Sequence, residues 1–221
     1  MTSTQLIPKY LLIRLHSQIL IQMSSTPLST NGTGDGSSLY DPCLLQDLDW
    51  GSIQTLMSPP ITNSAPGEQW LCVRPLQIED FDKGFMPLLS QLTSVGSVSR
   101  MDFLRQFLAM QKSGGYYVTV IEDTRNNSII GAATLVTEFK FIHDGGIRGR
   151  LEDVVVNNTY RGKQLGKLIV MTVTLLAKKL GCYKMSLDCK DSLIAFYKSI
   201  GYKLEPGNAN SMVIRYDPAP S

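Results

Sequence analysis

The sequence predicts an α/β fold of the α+β kind, a mixed sheet flanked by helices. Three observations carry this. Strand-length apolar or alternating runs recur between segments with helical spacing. The run Val154, Val155, Val156 passes through a turn at Asn157 and Asn158 into a Gly- and base-rich loop that opens a long amphipathic helix. A further strand-length run, residues 182–188, follows that helix, and such a strand–helix–strand unit should close as a right-handed parallel crossover. The expected order is β-α-α-β-β-β-α-β-α-β-β.

In chain order, residues 1–38 are expected to form a flexible extension. Arg14 and His16 interrupt its apolar run, which falls short of the about 20 residues of a spanning helix. Its Ser/Thr/Gly-rich part, residues 24–38, reads as a linker. Residues 39–68 are expected to pack on the domain, with Leu44, Leu45, Leu48 and Trp50 to bury and a Pro-rich loop at 58–67. The main domain spans 69–217.

Residues 70–74 alternate as a strand that Pro75 stops. Residues 78–92 carry Phe81, Phe85, Leu88, Leu89 and Leu92 at helical spacing. A second helix follows, with Phe103, Leu104, Phe107, Leu108 and Met110 on one side. Strands are expected at 116–122, 129–142 and 147–156, with hairpin turns at RNNS and HDGG. The helix after the loop aligns Leu165, Leu168, Ile169, Val173, Leu176 and Leu180, and Gly181 ends it. Residues 182–188 form a strand ending at Asp188. Asp191 or Ser192 caps a short helix, and two short strands near 202–204 and 212–216 finish the chain.

The chain of 221 residues suits one domain with a sizeable core plus a tail, and its 43% hydrophobic and 18% charged content is ordinary for a globular protein. A net charge of +2 excludes a strongly basic nucleic-acid binder. Basic residues cluster locally instead, at Lys140, Arg148, Arg150, Arg161, Lys163 and Lys167, a pattern suited to phosphates on a small molecule. The four cysteines lack CxxC spacing, so no metal is expected and all four read as free thiols in a reducing compartment.

The loop carries the chemistry. A helix N-terminus leaves backbone N–H groups unpaired and bears partial positive charge, so it holds anions. Gly162 and Gly166 let an anion approach the backbone closely. Glu152 and Asp153 lie one short strand away. In a regular strand they point to opposite faces, so only one serves a polar substrate by its side chain unless a bulge redirects the other. A phosphate cradle beside carboxylates points to a phosphorylated cofactor meeting a polar substrate.

Nine blocks in register carry a family resemblance: DPCLLQDLDW, VRPLQIEDFDKGF, QLTSVG, YYVTVIED, EFKFIH, GRLEDVVV, RGKQLGKL, LGCYKMSLDC and FYKSIGY. Over residues 40–216 the chain resembles the eukaryotic glucosamine 6-phosphate N-acetyltransferases of the GNAT superfamily. In that superfamily's loop pattern Arg161 and Gly166 fit, and Gln164 stands where glycine is usual. The resemblance implies a GNAT-type sheet, acetyl-CoA as co-substrate, glucosamine 6-phosphate as acceptor and a homodimer with shared active sites, either cytoplasmic or peripheral on endomembranes. It also implies that the product enters UDP-N-acetylglucosamine synthesis.

The resemblance further implies site residues. Backbone amides of Val154, Val155 and Val156 would serve the oxyanion and the pantetheine arm. Arg161, Gly162, Lys163, Gln164, Leu165, Gly166 and Lys167 would hold the diphosphate, with Tyr197, Lys198 and Ser199 also against the cofactor. Tyr197 would protonate the leaving sulfur; its pKa near 10 lies close enough above a thiol's near 8.5 for that transfer. Asp188 would orient or polarise the amine. Thr93, Lys140, Phe141, Ile142, His143, Glu152, Asp153, Val154, Val155 and Arg215 would bind the sugar phosphate, with Tyr183 and Lys184 reaching in from the opposite subunit. Leu193 and Asp191 stand where the family has Asn and Pro, which removes one expected contact to the pantetheine arm. Competing readings are an acetyltransferase for another amine and a non-catalytic acyl-CoA sensor. A P-loop nucleotidase lacks its GxxxxGK[ST] motif here.

Overall fold

A computed structural model describes residues 37–56, 69–160, 162–207 and 212–214. The readings made for residues 1–36 and for the Pro-rich loop at 58–67 lie outside the described residues. One five-stranded sheet organises the rest, in the order β1 (Leu71–Pro75), β2 (Tyr116–Asp123), β3 (Ser128–Phe139), β4 (Ile147–Val156), β5 (Cys182–Ser186). The first four strands pair antiparallel, and β5 runs parallel to β4. Short turns join β2 to β3 and β3 to β4, so those pairs are antiparallel. The β4-to-β5 connection carries the helical crossover that a parallel pair needs, whereas the longer, helix-bearing connection from β1 to β2 returns the chain antiparallel.

Helices α1 (Phe85–Leu89) and α2 (Arg100–Ser113) precede the hairpins, α3 (Leu165–Lys179) is the crossover, and α4 (Ile194–Lys198) follows β5. Ser99 caps α2 in a reciprocal box with Asp102, and Gly114 ends it at φ 70°. Helix α3 buries more than its predicted stripe. Val170, Met171, Leu175 and Ala177 are also covered, since the helix lies between the sheet and the segment before β1. Lys179 donates to the Gln46 carbonyl at 2.6 Å, and Leu48, Trp50 and Ile53 join the same core.

Several expectations are corrected. Residues 78–92 do not form one helix: a 3-10 turn, Ile78–Phe81, is separated from α1 by Gly84 at φ 86°, a left-handed conformation that an α-helix excludes. Leu92 and Leu108 are exposed. Strand β3 stops at Phe139, and the turn Ile142–Gly145 holds left-handed φ values at His143 and Asp144. Strand β5 stops at Ser186, so Asp188 lies two residues beyond it. Neither Asp191 nor Ser192 caps the next helix, which instead starts from a 3-10 turn, Asp191–Leu193, whose N-cap is Lys190. Residues 202–204 and 212–214 are not strands. Leu204, Met212, Val213 and Ile214 are exposed, and a strand forms only where a neighbour takes up its backbone groups.

Candidate active site

The site begins where the sheet opens. The β4–β5 ladder runs from Ile147 opposite Cys182 to Arg150 opposite Ser186 and then ends, while β4 continues to Val156. Beyond Arg150 the edge of β4 that faced β5 has no ladder partner among the described residues. Backbone groups on such an edge are open to a ligand. The other edge stays paired with β3 but carries a bulge. Ala132 faces Val155 and Thr134 faces Glu152, so Asp153 and Val154 together oppose Ala133. Asp153 takes a left-handed φ of 52° to make it.

The bulge separates the two adjacent carboxylates. Glu152 shares a sheet face with Arg150, two residues back, and accepts a hydrogen bond from its Nε. Arg150 donates through Nη2 to Asp188, so one guanidinium joins both acids and its pKa is raised, by Glu152 first and then Asp188. Asp153 stays outside that group. Although solvent reaches it, crowding by protein and the charge of Glu152 push its pKa up.

Beside this lies the loop. A cleft of about 370 Å³ is lined by Val156, Gly162, Gln164, Gly166, Lys167 and Phe196, among others. Gly162 has φ 82° and Gln164, the N-cap of α3, φ 56° with no side-chain cap bond. The first N–H groups of α3 are therefore not taken by their own cap. The loop is held from behind. Tyr160 donates to Asp123 at 2.7 Å, and the Lys163 ammonium sits 5.3 Å from the Trp70 ring centre. Arg125 binds Asp123 at 2.8 Å and, with Tyr160, keeps this buried carboxyl well below the usual range.

Tyr197 is buried on α4, with ring-edge contacts to Phe196 and Tyr202 at 5.0 and 5.8 Å. Burial, then the neighbouring Cys189, raise its pKa, so the phenol stays protonated and sits beside the residue after Asp188. Lys163, Tyr197, Lys198 and Ser199 do not line the cleft; Lys198 borders a separate hollow with Lys203 and Leu204. Thr93 is exposed just past α1. Arg161 and Arg215 lie outside the described residues.

A second group lies at the opposite end of β4. The His143 ring packs on Tyr183 at 4.4 Å, Lys140 pairs with Glu138 at 2.5 Å, and Phe141 and Ile142 are exposed. Tyr183 and Lys184 flank the Ile147 end of the ladder, five strand steps or about 16 Å from Glu152. Within one chain the structure does not bring this group to the open strand pair.

Sequence reasoning missed Arg150 as a site residue, counting it only in a basic cluster. The i, i+2 spacing to Glu152 was the available signal. It also missed Phe196, whose ring lies 3.5 Å from where a Cβ on Gly166 would sit, and the Tyr160–Asp123 anchor, which joins residues 37 apart.

The acetyltransferase (GNAT) family model matches residues 80–202. A probable glucosamine 6-phosphate N-acetyltransferase of Drosophila melanogaster is 64% identical over 183 residues, 83% of this chain and 84% of that protein. The glucosamine 6-phosphate N-acetyltransferase of Arabidopsis thaliana is 40% identical over 58% of this chain and 87% of its own length. A crystal structure of glucosamine-6-phosphate N-acetyltransferase from Arabidopsis thaliana aligns with a TM-score of 0.63 at 36% identity, over 66% of this chain and 99% of that one. With an opened β4–β5 pair, an anion-ready loop and these relatives, the chain belongs to the acetyltransferase (GNAT) family.

Proposed function

We propose that the protein transfers the acetyl group of acetyl-CoA to the 2-amino group of glucosamine 6-phosphate, releasing CoA and N-acetylglucosamine 6-phosphate for UDP-N-acetylglucosamine synthesis. The observation that carries this is the parting of β4 from β5 after Arg150, with Glu152 and Asp188 joined at its mouth and the start of α3 beside it. The names of the relatives supply the acceptor.

The acetyl-CoA arm lies along the free edge of Val154, Val155 and Val156, and its diphosphate lies on the amides from Gly162 to Lys167, with Arg161 and Lys163 for charge. The free amine attacks the thioester carbonyl and forms the C–N bond. Backbone N–H groups of the open edge stabilise the oxyanion. The C–S bond then breaks, the amine nitrogen gives its proton to solvent water, and Tyr197 gives a proton to the thiolate and is reprotonated from solvent. Tyr197 is protonated and so able to donate, and its position beside Cys189, the residue after Asp188, supports this role. The burial that raises its pKa widens the gap to a thiol and makes the transfer more uphill than from a free phenol. Asp188 and Glu152 orient the amine and the sugar hydroxyls; Thr93 and Arg215 take part in holding the sugar phosphate.

We also infer a homodimer in the cytoplasm. Lys140, Phe141, Ile142 and His143, with Tyr183 and Lys184, lie too far along β4 from their own chain's Glu152 to act there, yet suit the site of a second copy. Exposed Phe139, Phe141 and Ile142 give that face an apolar centre. Among the described residues no helix is long and apolar enough to cross a membrane.

The test is CoA release from acetyl-CoA with glucosamine 6-phosphate, glucosamine or a Lys peptide as acceptor. Turnover with the phosphorylated sugar, at a kcat/KM at least tenfold above the others, is expected. Preference for the peptide would replace this reading with a protein acetyltransferase, and no turnover with any amine would leave an acyl-CoA sensor.

A further inference from the structure

We infer that Arg150 is a positioning residue that clasps Glu152 and Asp188 across the open strand pair and, as a fixed positive charge, keeps the bound amine ready to lose its proton. The inference rests on the acetyl-transfer reading above.

Arg150 stands opposite Ser186 on the last rung of the β4–β5 ladder. Above that rung no backbone pairing holds the continuation of β4 against the segment that carries Asp188. The two acids are 36 positions apart in the chain and belong to separate arms of the opening. The Arg150 guanidinium hydrogen-bonds to both. A planar fork with several fixed donors sets two carboxylates at a defined separation, which a lysine ammonium does less well.

The side chains of Arg150, Glu152 and Asp188 are 29%, 39% and 59% exposed. Ion pairs this open contribute little to stability, so folding alone does not account for the clasp. At the mouth of a site that must take up an amine, charge does.

An ammonium is drawn to two carboxylates, and they raise its pKa. That helps it bind and hinders attack, because only the free base is a nucleophile. A guanidinium, which does not deprotonate, opposes the shift. The other charges facing Arg150 do not replace it. Glu138 on β3 is paired with Lys140, and Arg148 on β4 is bonded to Ser186 at 2.7 Å. Lys184 lies lower on β5, opposite Arg148, and Asp153 sits apart on the bulge. Past β5 come Cys189 and the protonated Tyr197. Helix α1, packed against β3 and β4, carries no charged residue.

The experiment compares the pH dependence of kcat for acetylation of glucosamine 6-phosphate in wild type, Arg150→Gln, Arg150→Lys and Glu152→Gln, with acetyl-CoA saturating. In Arg150→Gln the rising limb is expected to move up by about one pH unit, so that kcat below the limb falls about tenfold while KM for the sugar changes little. Arg150→Lys should keep the wild-type limb, and Glu152→Gln should move it down. A uniform loss in Arg150→Gln with its limb unmoved overturns the inference and leaves the acetyl-transfer reading standing. Should Arg150→Gln fail to fold, a displaced limb in Arg150→Lys, or an upward one in Glu152→Gln, overturns it as well. A wild type that leaves glucosamine 6-phosphate untouched removes both.

Discussion

At the scale of single residues, Tyr197 carries the proton donation proposed above. A phenol on the surface titrates near 10 and already carries its proton across the physiological range; burial raises this one further, which holds the proton but widens the gap to a thiol near 8.5. A proton delivered as the C–S bond breaks acts on the transition state and not on cofactor binding. Tyr197→Phe is therefore expected to lower kcat by about 10- to 100-fold with KM for acetyl-CoA within about twofold. Steady-state kinetics check it, and equal losses in both constants would contradict the role. The neighbouring acids show the same dependence on surroundings. Glu152 and Asp153 are chemically alike, yet Glu152 joins Arg150 while Asp153 spends its conformation on the bulge.

At the scale of elements, the loop between β4 and α3 is fixed from both sides. Phe196 lies against Gly166 in front, and the Tyr160–Asp123–Arg125 group anchors the rear. Asp123 has its folded pKa depressed, with Arg125 the largest cause. The sign follows. A depressed carboxylate contributes stability above its unfolded pKa near 3.9, and that contribution is lost as pH falls below it. Asp123→Asn should thus lower the melting temperature at pH 7 and flatten the dependence of stability on pH below about 4. Because Arg125 is half exposed, the loss is discounted to about 1 kcal/mol, or roughly 2–4 °C in a chain of this size. Thermal unfolding from pH 2 to 7 measures it. A mutant curve parallel to wild type would mean that Asp123 is not held ionised in the fold.

At the scale of the whole molecule, one chain carries two groups of polar residues at the two ends of β4, and only one of them adjoins the open strand pair. In the proposed homodimer, two copies related by a twofold axis would bring the second group of each to the opening of the other. Phe141→Glu should then weaken association and reduce glucosamine 6-phosphate turnover together. Sedimentation velocity with kinetics at matched concentrations tests this. Full activity in a monomeric variant would exclude the shared site.

The features legible in the chain alone are local. Strands 116–122 and 147–156, the crossover helix and its glycine stop were readable because side-chain period and turn residues are properties of neighbours in the chain. The conditional reading of a bulge near Glu152 and Asp153 rested on the same alternation. Where expectations failed, partners decided. Residues 78–92 divide at Gly84, and 202–204 pair with no strand among the described residues. The meeting of Arg150 with Asp188, 38 residues on, depends on where two strands part. Only the tertiary structure sets that point, because a ladder ends where the backbones diverge in space, and no periodicity within either strand encodes the distance between them.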